Sequence, residues 1–314
     1  MSLGYELDRY LSVRRSLGYN LETTERILHR FIDFADTERA SHITTDLFLR
    51  WQDAFGAAGR QTWAARFGMV RLFAQWLHGL DPAHEVPPRG LVPSRYRRVR
   101  PYIYSESEIA LIIKETATLP SIYGMRGLTY STLLGLIATT GLRISEALDL
   151  DTGDVDLEDG LLCIRRGKLG KERLLPLDGS VVQRLRDYAG ERDRLLGLTP
   201  VPFFVSCGGY RLGSCGARYN FALVCQRIGL RDAQQYGRHG RGPRIHDLRH
   251  SFAVRTIIGW YRTGKDPERE MIKLTTYLGH VSPAHTYWYI EAVPELLELA
   301  SARVMSAEGE EVQQ

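Results

Sequence analysis

The sequence predicts a mainly α-helical chain in two domains, the second carrying a small antiparallel β element. Three observations predict it. Apolar residues recur at three- and four-residue steps through the first eighty positions, which is the period of one helix face. A stretch rich in proline and arginine then breaks the pattern. Further on, two short apolar runs flank a glycine turn in a region that otherwise reads as helix.

The elements follow in order. Ile27, Leu28, Phe31, Ile32 and Phe34 mark a helix that starts near Thr23 or Thr24. Leu47, Phe48, Trp51 and Phe55 mark another, and Trp63, Phe67, Val70, Phe73 and Leu77 a third. These stripes are core, and no chemistry is assigned to them. Residues 1–80 thus read as a small helical bundle. Pro82, Pro87, Pro88, Gly90, Pro93 and Pro101 punctuate residues 81–104, read as a basic interdomain linker. Ser105-Glu-Ser-Glu108 is a capping box that opens the second domain, residues 105–294. Leu161–Arg165 and Arg173–Leu177 read as the strands of a hairpin, with Lys168 and Lys171 at its tip. Helices resume around Val181–Leu195, Ile245–Tyr261, Asp266–Leu278 and Ala284–Ile290. After Pro294, residues 295–314 read as a last helix and an acidic tail.

Composition bounds the function. The 314 residues suffice for two domains with real cores, and 44% hydrophobic with 25% charged residues is ordinary for a soluble globular protein. No apolar run approaches the ~18 residues of a membrane helix, and the N-terminus lacks the layout of a secretory signal. The expected compartment is the cytoplasm, with no membrane partner. Cys163, Cys207, Cys215 and Cys225 fit neither a disulfide framework nor a metal-binding pair, and Cys163 reads as a small core residue. Net charge is +4 and the isoelectric point about 8.8. The basic residues cluster: Arg95, Arg97, Arg98 and Arg100 in one group, Arg238, Arg241, Arg244 and Arg249 in another. Such clusters fit phosphate contact or a solvated face.

Six residues carry the chemistry. They are Arg143 in Thr-Gly-Leu-Arg-Ile-Ser-Glu146, Lys168 in the glycine turn, His246 and Arg249 in His-Asp-Leu-Arg-His250, His280 in Leu-Gly-His, and Tyr289 nine residues later. Arginine binds phosphate bidentately and stays protonated, so two arginines with histidines beside them stabilise a phosphoryl transition state without a metal. A phenol is a nucleophile that stores the cleaved bond as a phosphotyrosine. A lysine at a hairpin tip has the reach of a general acid for the leaving oxygen. Each residue alone also has an ordinary structural explanation. Arg143 is spaced to pair with Glu146, Leu-Gly-His280 is a helix end with its cap, and Tyr287, Trp288 and Tyr289 are packing aromatics. His246 and His250 have the spacing of metal ligands, but Asp247-Leu-Arg249 stands where a glutamate is needed, and an arginine repels a cation.

In this order the motifs resemble those of the tyrosine recombinases, the phage-type integrases. The resemblance covers essentially the whole chain: an N-terminal helical core-binding domain and a C-terminal catalytic domain. Gly167-Lys168 and Lys171-Glu-Arg-Leu-Leu-Pro-Leu177 match the family's catalytic hairpin. The resemblance implies that Arg143 and Arg249 clamp the scissile phosphate and that His246 assists proton transfer. His280 would be a further phosphate ligand, and Lys168, rather than Lys171, would protonate the leaving 5′ oxygen. Tyr289 would attack and remain joined to a DNA 3′ end. Tyr287, two residues away, faces elsewhere on a helix, by about 200°. Glu146 would orient Arg143.

It also implies double-stranded DNA as partner, assembly as a homo-tetramer or with related recombinases, and neither metal nor other cofactor. The Thr286-Tyr-Trp-Tyr289 ending looks like the transposon- and plasmid-borne members, which favours integration, excision or transposition over chromosome-dimer resolution. The apolar residues after Pro294 fit docking on a neighbouring protomer or on their own domain. A non-catalytic DNA-binding accessory protein of the same fold, a metal-dependent hydrolase built on His246 and His250, and a relaxing topoisomerase are the rival expectations.

Overall fold

The computed structural model describes residues 2–93, 100–165, 172–232, 242–280 and 282–301. The chain divides into two compact units, Met1–Val99 and Arg100–Gln314.

The first unit is a bundle of α1 (Leu3–Ser16), α2 (Glu22–Thr37), α3 (Thr45–Ala54) and α4 (Arg60–His78). The predicted stripes form its core: Phe31, Phe48, Trp51, Trp63, Val70 and Phe73 are all buried. Edge-to-face pairs such as Trp51–Trp63, with ring centroids 5.3 Å apart, add orientation-specific attraction to the burial of area. α1 contributes Leu7 and Tyr10 to the same core. Residues 81–93 pack on this unit. His84 is buried and its Nδ1 accepts the Ile43 N–H at 3.1 Å, while Leu91 and Val92 lie against the core. The prolines forbid helix in this stretch but not packing.

The second unit opens with α5 (Glu106–Ala117), and the Ser105–Glu108 capping box closes in both directions, as the sequence predicts. Its centre is α6 (Met125–Thr140), buried nearly all round. α7 (Ile144–Leu148) follows. β1 (Val155–Asp156), β2 (Leu161–Ile164) and β3 (Arg173–Pro176) form an antiparallel sheet in that order, with Leu162 opposite Leu175 and Ile164 opposite Arg173. Leu162, Ile164 and Leu175 are buried. The two-residue period of a strand therefore turns Cys163 the other way, and it is half-buried outside the core, against expectation. The buried thiol is Cys225 of α9.

α8 (Gly179–Leu196), α9 (Ser214–Arg227), α10 (Ile245–Arg262), α11 (Pro267–Leu278) and α12 (Ala284–Ala292) complete the unit. α10, α11 and α12 share a core of their own around Val254, Ile257, Met271 and Leu274. The helix over 294–301 sets Leu296 into that core, fully buried, so this part of the C-terminal segment docks on its own domain. Among the described residues no helix is long and apolar enough to cross a membrane.

Candidate active site

Two left-handed glycines shape the site. Gly141 ends α6 at φ 65°, and a Cβ there would lie 2.5 Å from Phe252 Cδ1, so the chain turns tightly against α10. Gly279 caps α11 at φ 63° and leaves the last carbonyls of that helix unpaired within it. Three arginines take up those carbonyls. Arg173 Nε donates to Tyr277 O at 3.0 Å, Arg249 Nη2 to Leu278 O at 2.6 Å, and Arg143 Nη2 to Gly279 O at 2.8 Å. The partial negative charge of a helix C-terminus favours cations there.

Each arginine has a second anchor. Arg249, 1% exposed, donates from Nη1 to Gly141 O at 2.7 Å. Arg143 pairs with Glu146 at 2.6 Å, and its backbone N–H donates to the same carboxylate at 3.0 Å. Arg173 donates to both oxygens of Glu146, at 3.1 and 2.8 Å. Burial alone would raise the Glu146 carboxyl. The Arg173 hydrogen bonds, the Arg143 N–H and both positive charges overcome it and hold the group below its ordinary value. Burial, and next the Arg143 charge, lower Arg249 to about 10, which leaves it protonated at neutral pH. Two guanidinium groups, Arg143 and Arg173, thus bond one carboxylate while Arg249 feels its charge, and the excess positive charge suits an anion. The bonds of Arg143 and Arg249 each use two of five guanidinium N–H groups, so donors remain for a ligand.

The first turns of α10 add His246 and His250. Asp247 caps the helix by accepting the Arg244 N–H at 2.8 Å. Desolvation, and then the Arg249 charge, lower His246 to about 4, with Asp247 opposing and Arg244 and Arg143 adding. His246 keeps a solvent-exposed edge while protein crowds its other sides. The His246 and His250 rings lie 4.6 Å apart. His250 Nδ1 is 2.9 Å from Tyr289 Oη. His280 follows the α11 cap; its Nδ1 lies 2.7 Å from Thr286 Oγ1, and its ring stacks on Tyr289 at 6.5 Å. Tyr289 is 1% exposed and Tyr287 41%, so the helix turns Tyr289 toward the histidines and Tyr287 toward solvent.

The structure therefore brings Arg143, His246, Arg249, His280 and Tyr289 together. Lys168 and Lys171 lie outside the described residues, as do Arg95, Arg97, Arg98, Arg238 and Arg241. The sequence alone assigns no part to Arg173 or Thr286 and offers His250 only as a metal ligand. Arg173 stands within the hairpin motif, and that was its one visible signal.

Comparison with known proteins gives the same direction. The model of the Phage integrase family matches residues 104–295. A protein of Sinorhizobium fredii named integrase/recombinase y4rB is 39% identical, over 95% of each chain. Two solved structures share the fold. XerH site-specific recombinase, bound to its palindromic difH substrate in a post-cleavage complex, has a TM-score of 0.63 at 17% identity, covering 90% of this chain and 79% of that one. A lambda integrase tetramer bound to a Holliday junction has a TM-score of 0.59 at 17% identity, covering 90% and 78%.

Proposed function

The chain belongs to the phage integrase family, the tyrosine recombinases, and from that premise we propose that it is a site-specific recombinase acting on duplex DNA through a covalent 3′-phosphotyrosine. The observation that carries the reading is the convergence of Arg143, Arg249, His246 and His280 around excess positive charge, with the Tyr289 phenol beside them. Arg143 and Arg249 bind the non-bridging oxygens of the scissile phosphate, whose charge grows in the transition state. His246 and His280 add donors to the same group. Tyr289 attacks phosphorus, the 5′ oxygen leaves, and Lys168 protonates it. The 5′ hydroxyl of a partner strand then reverses the step and rejoins DNA without an external energy source.

The chemistry asks for no metal, since the guanidinium groups supply the charge that metals supply in other phosphoryl transfers. Residues 1–80 serve as a core-binding domain and residues 105–294 as the catalytic domain, with the basic residues of 81–104 along the DNA backbone. Four protomers assemble on two sites, in the cytoplasm, for integration, excision or transposition. The test is trapping on nicked duplexes taken from the DNA that flanks the gene, in chelator, with wild type beside Tyr289→Phe and Tyr287→Phe. A covalent adduct lost only in Tyr289→Phe is the expected result. Specific binding of that DNA without any adduct would put an accessory DNA-binding role in its place.

A further inference from the structure

Resting on the recombinase reading, we infer that His250 is a further catalytic residue, taking the phenolic proton of Tyr289 at cleavage and returning it at rejoining. Its Nδ1 lies 2.9 Å from Tyr289 Oη, and both side chains are buried, His250 at 7% exposure and Tyr289 at 1%. A phenol titrates near 10, so at neutral pH it is a weak nucleophile until a base removes its proton. A candidate base must first be within hydrogen-bond reach, and His250 is.

The other histidines face other tasks. His246 sits one helical turn before His250, under the influence of Arg249, Arg244 and Arg143, which places it on the phosphate side. His280 engages Thr286 through Nδ1. His250 directly follows Arg249 in α10, so the backbone that positions the phosphate clamp also positions the base. In the step, the Oη–H bond breaks as Nδ1–H forms. The freed electron pair makes the Oη–P bond, and the P–O5′ bond breaks with its pair going to O5′, which takes its proton from Lys168. At rejoining the imidazolium returns the proton to the departing phenolate.

The test pairs two nicked duplexes of the flanking DNA, one with oxygen and one with sulfur at the 5′ bridging position. A thiolate leaves without a proton, so sulfur removes the need for the acid and not for the base. Adduct formation by His250→Asn should fall by about 10²–10⁴-fold on both duplexes, and Lys168→Ala should fall on oxygen alone. Nitrogen NMR of the wild-type chain without DNA, labelled at histidine, should show His250 as the Nε2–H tautomer, with Nδ1 accepting from the phenol. A His250→Asn rate within about threefold of wild type, recovery of that variant by sulfur, or an Nδ1–H tautomer each overturns the assignment. A wild type that forms no adduct overturns the recombinase reading, and this assignment with it.

Discussion

Arg143 and Arg249 are held by neighbouring carbonyls at one helix end, Arg143 Nη2 by Gly279 O at 2.8 Å and Arg249 Nη2 by Leu278 O at 2.6 Å. The two come from distant parts of the sequence, one after α6 and one within α10, and they meet where α11 ends and where Arg249 Nη1 also donates to Gly141 O at 2.7 Å. That same end leads directly into His280 and α12. The proposed phosphate clamp and the segment bearing Tyr289, the proposed nucleophile, therefore share one anchor, and a shift of the helix cap moves both.

Gly279 is the place to test that anchor. At φ 63° a side chain is strained, and a Cβ would lie 3.0 Å from Arg173 Nη1 and 3.1 Å from its Cζ. Gly279→Ala should cost about 1–2 kcal/mol for the left-handed backbone and push Arg173 off Glu146. Gly279→Asn relaxes the backbone penalty but keeps the contact with Arg173. It should recover part of the thermal stability and little of the DNA affinity, read by melting and by anisotropy on flanking DNA.

Glu146 lies between Arg143 and Arg173, its side chain 2% exposed. Removing it leaves two guanidinium groups facing each other in a poorly solvated space. Glu146→Ala should destabilise the fold by about 3 kcal/mol. Its carboxyl titrates below the ordinary value in the folded state. The unfolded chain thus binds the proton more readily, and the ion pair contributes stability above the unfolded value near 4.3 and loses it as pH falls through the folded one. Denaturant titrations across the acid range should show that loss in wild type and a flatter profile in Glu146→Gln.

Much of this site is legible locally, and the rest is long-range. The Ser105–Glu108 box, the Gly279 cap and the His246–Arg249 pair each span three or four residues, so sequence spacing alone places them. Helical rotation sets Tyr289 and Tyr287 on different faces, and the one is buried while the other is exposed. By contrast, the Arg143–Gly279 bond joins residues 136 apart and the Arg173–Glu146 bonds residues 27 apart. No period encodes such contacts. α6 has no sequence signature for another reason: buried nearly all round, it has no broad polar face to alternate with an apolar one. β1 is only two residues long and needs β2 beside it to exist.

Thr286 is fully buried, 2.7 Å from His280 Nδ1 and 3.0 Å from the Thr275 hydroxyl. It joins α12 to α11 and sets the His280 ring. Thr286→Val keeps the shape and removes the hydroxyl, leaving buried polar atoms without that partner. The expected cost is about 1–3 kcal/mol, with a slower single-turnover cleavage as His280 loses its orientation. Thr286→Ser should retain the cleavage rate, since it keeps the hydroxyl and loses only a methyl group.

His246 predicts a proton linked to DNA binding. In the free protein desolvation and the Arg249 charge lower its pKa to about 4, against about 6.5 unfolded. The unfolded chain binds the extra proton between those values, so His246 favours folding above about 6.5 and that contribution is lost as pH falls toward 4. A bound phosphate reverses the local field. It neutralises Arg143 and Arg249 and attracts the imidazolium, which raises the His246 pKa in the complex. Binding should therefore take up a proton, and affinity for flanking DNA should rise as pH falls from about 7 to 5. Calorimetry in buffers of different ionisation enthalpy measures that uptake directly. His246→Gln should remove most of it and flatten the pH dependence, whereas uptake unchanged in the variant would assign the proton to another group.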